Sequence, residues 1–161
     1  LPTPSMDLAM LVVLVDAGPK PVSSRNLMAN TVETSPYYPA WVTHNQQAAQ
    51  AMVSALAQND FAKVGHLTEQ SSMQMHATIL ASDPAFTYWT PETLQAWAIV
   101  KQLRAQGIPA YATMDAGPNV KILTLGEHVP TILQALQADF AGRVLTTTPG
   151  PAAKVIGGPN V

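Results

Sequence analysis

Every position from Leu8 to Val15 is apolar, between Asp7 and Asp16, so this run has no polar face. That is the pattern of a central β-strand covered on both sides. It falls far short of the roughly 20 residues a membrane-spanning helix requires. Ala17-Gly18-Pro19-Lys20-Pro21 breaks the strand, and Ser23-Ser24-Arg25 precedes a helical pattern through Leu27, Met28, Val32 and Glu33. Ser23 or Ser24 can serve as its N-cap. A second pattern covers Tyr37 to Gln58, with Trp41, Ala48, Met52 and Leu56 at helical spacing, and Asn59-Asp60 joins it to a third. This third helix runs from Phe61 to about Leu80, where Val64, Leu67, Ser71, Met75, Thr78 and Ile79 recur at three- and four-residue steps, and Ser82-Asp83-Pro84 ends it. Thr90 as N-cap, Pro91 and Glu92 open a fourth helix that carries Leu94, Trp97, Ala98, Val100 and Leu103 and stops near Gly107.

The pattern then alternates: strand over 109–114, strand over 119–125, helix over 127–140, strand over 143–147 and a further strand over 153–156. Tyr111, Thr113, Val120, Ile122 and Leu123 have strand character, and Ala116-Gly117-Pro118-Asn119 between them is turn chemistry. Helices grouped beside an antiparallel hairpin predict an α+β fold, with helices packed on an antiparallel sheet in a split βαβ, ferredoxin-like arrangement. Asp16-Ala17-Gly18-Pro19 duplicates Asp115-Ala116-Gly117-Pro118, but the flanks do not match. The duplication therefore predicts two strand-ending turns, not a repeated unit.

Composition narrows the function. With 161 residues, 47% of them apolar, the chain suits one domain with a real core. Only 11% are charged, less than half the usual share, which leads us to expect a surface partly covered by something else. Eight basic residues against ten acidic, with no basic stripe, exclude a nucleic-acid backbone as the expected partner. The absence of cysteine removes disulfide and thiolate chemistry and is compatible with the cytosol. The chain opens Leu1-Pro2-Thr3-Pro4 with no visible signal peptide, and the expectation is a piece of a longer polypeptide.

Asp115 stands at a strand end on a Gly-Pro corner. It can simply open the turn by accepting backbone N–H groups, or it can take a substrate proton and orient a hydroxyl. Ser24 and Arg25 at a helix start suit an anion, through free N–H groups and a bidentate guanidinium; the plainer alternative is an N-cap beside a surface arginine. His44, His66, His76 and His128 lack metal-site spacing, and an interhelical hydrogen bond is the expectation for His66 and His76. Met73, Met75 and Met114, with Trp41, Trp89 and Trp97, read as core filling. Gly157-Gly158 has no following helix and is no phosphate loop.

Several words in fixed order carry a resemblance. They are Val22-Ser23-Ser24-Arg25, Met28, Thr31, Glu33-Thr34-Ser35, Met75-His76-Ala77-Thr78, Pro84-Ala85-Phe86-Thr87-Tyr88 and Thr113-Met114-Asp115-Ala116-Gly117-Pro118-Asn119-Val120-Lys121. From about Asp7 onward the chain resembles the C-terminal half of the diphosphomevalonate decarboxylase family, within the GHMP kinase superfamily. The resemblance implies an ATP- and Mg2+-dependent enzyme that phosphorylates the tertiary hydroxyl of mevalonate 5-diphosphate, then releases phosphate and carbon dioxide to give isopentenyl diphosphate. It implies that Asp115 is the catalytic acid residue and that Ser24 and Arg25 hold the substrate, with no role carried over for His76. It further implies a cytoplasmic protein, a homodimer when intact, working with neither nucleic acid nor membrane. Its own N-terminal domain would supply the ATP loop and most contacts to ATP and Mg2+, so this piece alone is expected to be inactive. Residues 1–22 would belong to a sheet shared with that domain, and 23–161 would form the C-terminal GHMP-type domain. The alternatives are a paralogue acting on mevalonate or another of its phosphate esters, a mevalonate kinase, and a non-catalytic ferredoxin-like binding module.

Overall fold

The computed structural model describes residues 5–18 and 22–151. Four strands, β1 (Leu8–Val13), β2 (Tyr111–Thr113), β3 (Val120–Leu125) and β4 (Val144–Thr147), form one sheet in the order β2-β3-β1-β4. Every neighbouring pair is antiparallel. β1 and β2 therefore run parallel with β3 inserted between them, which is the split βαβ arrangement expected of the α+β class. Between β1 and β2 the chain forms α1 (Ser24–Thr34), α2 (Tyr38–Ala57), α3 (Phe61–Leu80) and α4 (Pro91–Ala105); α5 (Val129–Phe140) links β3 to β4 after a short 3-10 turn over Gly126–His128. The strand expected over 153–156 and the glycine pair at 157 and 158 lie outside the described residues.

β1 is central, but it ends at Val13, before the predicted Val15, and its burial alternates. Leu11 and Val13 are fully buried with Ala112, Val120 and Ile122 against α4 (Ala96, Val100, Leu103) and α5 (Ile132, Leu136, Phe140). Leu8 and Met10 turn to the other face, where they meet Phe61, Val64 and Leu123 and remain partly exposed. The apolar run thus has one sealed face and one half-covered face. The Leu14 amide still donates to the Arg143 carbonyl at 2.7 Å, but the amide of Val15 leaves the ladder and donates to Asn119 Oδ1 at 2.8 Å.

The helix ends follow their caps. The Ser23 side chain accepts from the Asn26 amide at 3.2 Å, Asp60 from Lys63 at 3.0 Å and Thr90 from Thr93 at 3.3 Å. Each satisfies a first-turn donor that the helix itself cannot. Asn59, at φ 54°, takes the left-handed conformation that asparagine tolerates and reverses the chain between α2 and α3. α2 is a covering layer: Ala55 is its only buried residue, and Trp41, Met52 and Leu56 are half-buried.

α3 flanks β2, and one glycine sets how closely. The Tyr111 ring lies against Gly65, where an added Cβ would sit 2.0 Å from the ring. Gly65→Ala should therefore destabilise the fold by roughly 1–3 kcal/mol through overpacking, although an exposed helix would gain about 1 kcal/mol from the same change. Urea denaturation should show this penalty, and it should disappear in a Tyr111→Ala background; equal penalties in both backgrounds would rule out the ring contact as its cause.

Candidate functional site

A cavity of about 650 Å³ lies between α1, α2, α3 and the end of β2. Its walls are mostly apolar, with Leu27, Met28, Trp41, Met52, Leu67, Met75 and Ile79, and its polar residues are Ser24, Thr68, Ser71, Ser72, Thr113 and Asp115. Because Ser23 is the N-cap, Ser24 stands at the first helical position and its hydroxyl is not spent on capping. The structure thus brings Ser24 and Asp115 to one cavity. Arg25 is exposed, does not line the cavity, and has no hydrogen bond or ion pair among the described residues.

β2 delivers Asp115 through Met114. The Ser72 hydroxyl on α3 accepts from the Met114 amide at 2.9 Å and donates to the Met114 carbonyl at 3.0 Å. One buried side chain therefore satisfies both backbone groups of the residue before Asp115. The turn that follows is held from two further directions: Thr93 Oγ1 donates to the Pro118 carbonyl at 2.9 Å, and Asn119 Oδ1 accepts from Val15 and Asp16 at 2.8 and 3.0 Å. Gly117, at φ 94°, supplies the conformation this corner needs.

The duplicated Asp-Ala-Gly-Pro words behave differently. Asp16 Oδ1 accepts from the Gly18 amide at 2.7 Å, so that carboxylate closes its own turn. Among the described residues no amide of its own turn donates to Asp115; its side chain, 85% exposed, pairs instead with Lys121 Nζ. Lys121 lies on β3 directly opposite Thr113. Sequence reading gave Lys121 no role, and a hairpin register running through the turn was the signal that could have found it. It missed Ser72 because only the tertiary fold brings positions 72 and 114 together.

Among the described residues the interhelical hydrogen bond expected for His66 and His76 is not formed. Ten residues are 2.8 helical turns, which leaves the two side chains about 80° apart around the axis; His66 is exposed and His76 is 2% exposed. His76 packs on Trp89, with ring centroids 5.0 Å apart, and its Nε2 is buried without a hydrogen-bond partner among the described residues. Burial pushes its pKa below the ordinary 6.5, opposed by the backbone of Asp115 and Met114 and by the Asp115 charge.

Among the described residues no three His, Cys, Asp or Glu side chains converge to hold a metal ion. Asp115 alone would not retain magnesium. Among the same residues no helix is long and apolar enough to cross a membrane.

Residues 10–153 match the family described as the mevalonate 5-diphosphate decarboxylase C-terminal domain. A diphosphomevalonate decarboxylase of Ganoderma lucidum is 31% identical over 141 residues, covering 83% of this chain and 35% of the relative. A phosphomevalonate decarboxylase of Haloferax volcanii is 30% identical over 100 residues, covering 62% of this chain and 31% of the relative. A solved structure of MDDEF in complex with MVAPP, AMPPCP and magnesium superimposes with a TM-score of 0.86 at 41% identity, over 90% of this chain and 45% of that one. The chain thus spans about a third of the length of these two relatives.

The folded state binds the His76 proton less tightly than the unfolded chain, whose value is near 6.5. Stability from this residue is therefore complete above about pH 6.5 and declines as the pH falls toward the lower folded-state value. Thermal melts between about pH 5 and about pH 8 should show a falling Tm on acidification, and His76→Gln should flatten that slope. An unchanged slope in the variant would assign the acid sensitivity to other groups.

Proposed function

We propose, from the premise that this chain belongs to the mevalonate 5-diphosphate decarboxylase C-terminal domain family, that it is the C-terminal part of an ATP-dependent decarboxylase acting on mevalonate 5-diphosphate. One observation carries this reading: the Asp115 carboxylate is not consumed by its own turn and opens with Ser24 onto one cavity. Asp115 orients the tertiary hydroxyl and accepts its proton as the alcohol is phosphorylated, a reaction that depends on positioning and electrostatics. When the C–O bond to the new phosphate breaks, positive charge develops on the tertiary carbon, and the same anion stabilises it. The carboxyl C–C bond supplies the electrons of the new double bond as carbon dioxide leaves.

Ser24 hydrogen-bonds the substrate from the start of α1, and Arg25 pairs with its anionic groups from the next position. ATP and Mg2+ activate the phosphoryl group when bound; the absence of a metal-binding cluster among the described residues supports their being held mainly by an N-terminal domain. In this reading residues 1–22 enter through the sheet region shared with that domain, and 23–161 form the C-terminal domain. The reading also carries a cytoplasmic location and a homodimer for the intact protein. The Haloferax relative's name favours a second reading, with the 5-phosphate as substrate.

In the intact polypeptide Asp115→Asn should lower kcat by about 10²- to 10⁴-fold with folding retained; unchanged turnover would remove Asp115 from the mechanism and leave a binding module as the better account. Arg25→Lys should raise the substrate KM roughly tenfold, because an ammonium cannot reproduce the guanidinium fork. Steady-state assays on mevalonate, its 5-phosphate, 3,5-bisphosphate and 5-diphosphate then decide between the two substrate readings.

A further inference from the structure

The support beneath Asp115 comes from one face of α3. Ser72 and His76 stand one turn apart, and both are buried, at 6% and 2% exposure. Ser72 engages both backbone groups of Met114 with a single hydroxyl. His76 faces the backbone of Met114 and Asp115 on one side and the Trp89 ring on the other. A residue serving only to fill this space would be apolar, since a buried imidazole nitrogen without a partner opposes folding. Nε2 nevertheless lies buried and, among the described residues, unpartnered, on a ring that faces the backbone carrying the candidate catalytic carboxylate.

We propose that Ser72 and His76 are positioning residues for Asp115: Ser72 fixes the Met114 peptide groups, and the buried His76 imidazole lies against the Met114–Asp115 backbone and holds it in place, so that together they aim the carboxylate at the reacting hydroxyl. The role needs no contact between either residue and the substrate. Both act through a backbone segment that β2 leaves just beyond its ladder with β3. The inference rests on the decarboxylase reading and adds to it the side chains that set the direction of its acid. Direction matters because a misplacement of about 1 Å at a reacting group can cost about 100-fold in rate.

The test measures kcat and KM in the intact polypeptide for Ser72→Ala, His76→Phe and His76→Gln, with Ile132→Val on α5 as a stability control. Ser72→Ala and His76→Phe should lower kcat by about 10- to 100-fold, while KM for both substrates stays within about twofold, because Ser24 and Arg25 bind independently of α3. His76→Gln should recover most of the loss, since an amide keeps a hydrogen-bonding group where Phe has none. The control should retain wild-type kcat at a lowered Tm. Wild-type kcat in both Ser72→Ala and His76→Phe overturns the inference, and equal losses in His76→Phe and His76→Gln overturn the part assigned to His76. Should His76→Phe fail to fold, Ser72→Ala decides alone. If Asp115→Asn in the same series turns over normally, the decarboxylase reading has failed; if it is inactive while Ser72→Ala and His76→Phe are fully active, only the positioning assignment has.

Discussion

Met114 lies where an edge strand runs out of partners, and the hydrogen bonds it makes there organise the rest of the site. β2 is three residues long and pairs on one side only. Past its ladder the backbone still carries a buried N–H and C=O that must be satisfied within the protein. Ser72 answers both with one hydroxyl, as acceptor from the amide and donor to the carbonyl. Leaving either group unpaired in the interior would cost on the order of 1–3 kcal/mol. This requirement fixes how far α3 can slide along β2, and Gly65 fixes how near it can come, because the Tyr111 ring fills the space a Cβ would need. The carboxylate one residue further on takes its place from these two contacts.

The duplicated Asp-Ala-Gly-Pro word shows how packing, beyond local sequence, decides what an aspartate does. At Asp16 the side chain closes the turn itself by accepting from Gly18. Around Asp115, Ser72 of α3 and Thr93 of α4 hold the backbone, Asn119 of the turn itself ties it to Val15 and Asp16, and the turn holds without the carboxylate. Asn119 also accepts from the amides of Val15 and Asp16, so the two turns are tied together side by side. An acid relieved of turn-closing duty is one that can take another partner, whether Lys121 or a ligand hydroxyl.

Much of the fold was legible because its signals are local. Ser23, Asp60 and Thr90 announce helix starts through bonds to amides three residues on, and strand–turn–strand chemistry around Gly117-Pro118 announces the hairpin. β1 was overextended by two residues because hydropathy cannot show that Asn119, more than a hundred positions away, captures the Val15 amide. Asp115 and Ser24 could be named from residue type, order and family resemblance. Ser72 could not, since a serine inside an amphipathic helix looks like any polar residue until the fold sets it against Met114. The spacing of His66 and His76 nearly closes three turns and suggests one helical face, yet the remaining rotation sends one to solvent and the other into the core.

The exposure of Asp115 bears on how such a site must work. With its side chain 85% exposed, the pair with Lys121 is a surface ion pair, and pairs of that kind contribute at most about 1 kcal/mol. A carboxylate held so weakly is readily handed to another donor, but by the same screening it exerts little field on a reacting carbon. Two unit charges about 4 Å apart interact by about 1 kcal/mol in water and about 4 kcal/mol at the dielectric of a partly covered protein site. The cavity wall beneath the acid is mainly Leu, Ile, Met and Trp side chains, which keep water out on one side only. Excluding it from the other side multiplies the leverage of the same charge without moving an atom of this chain. Electrostatic catalysis through Asp115 therefore requires a lid over the cavity, and in the proposed enzyme the N-terminal domain and the bound substrate together supply that cover.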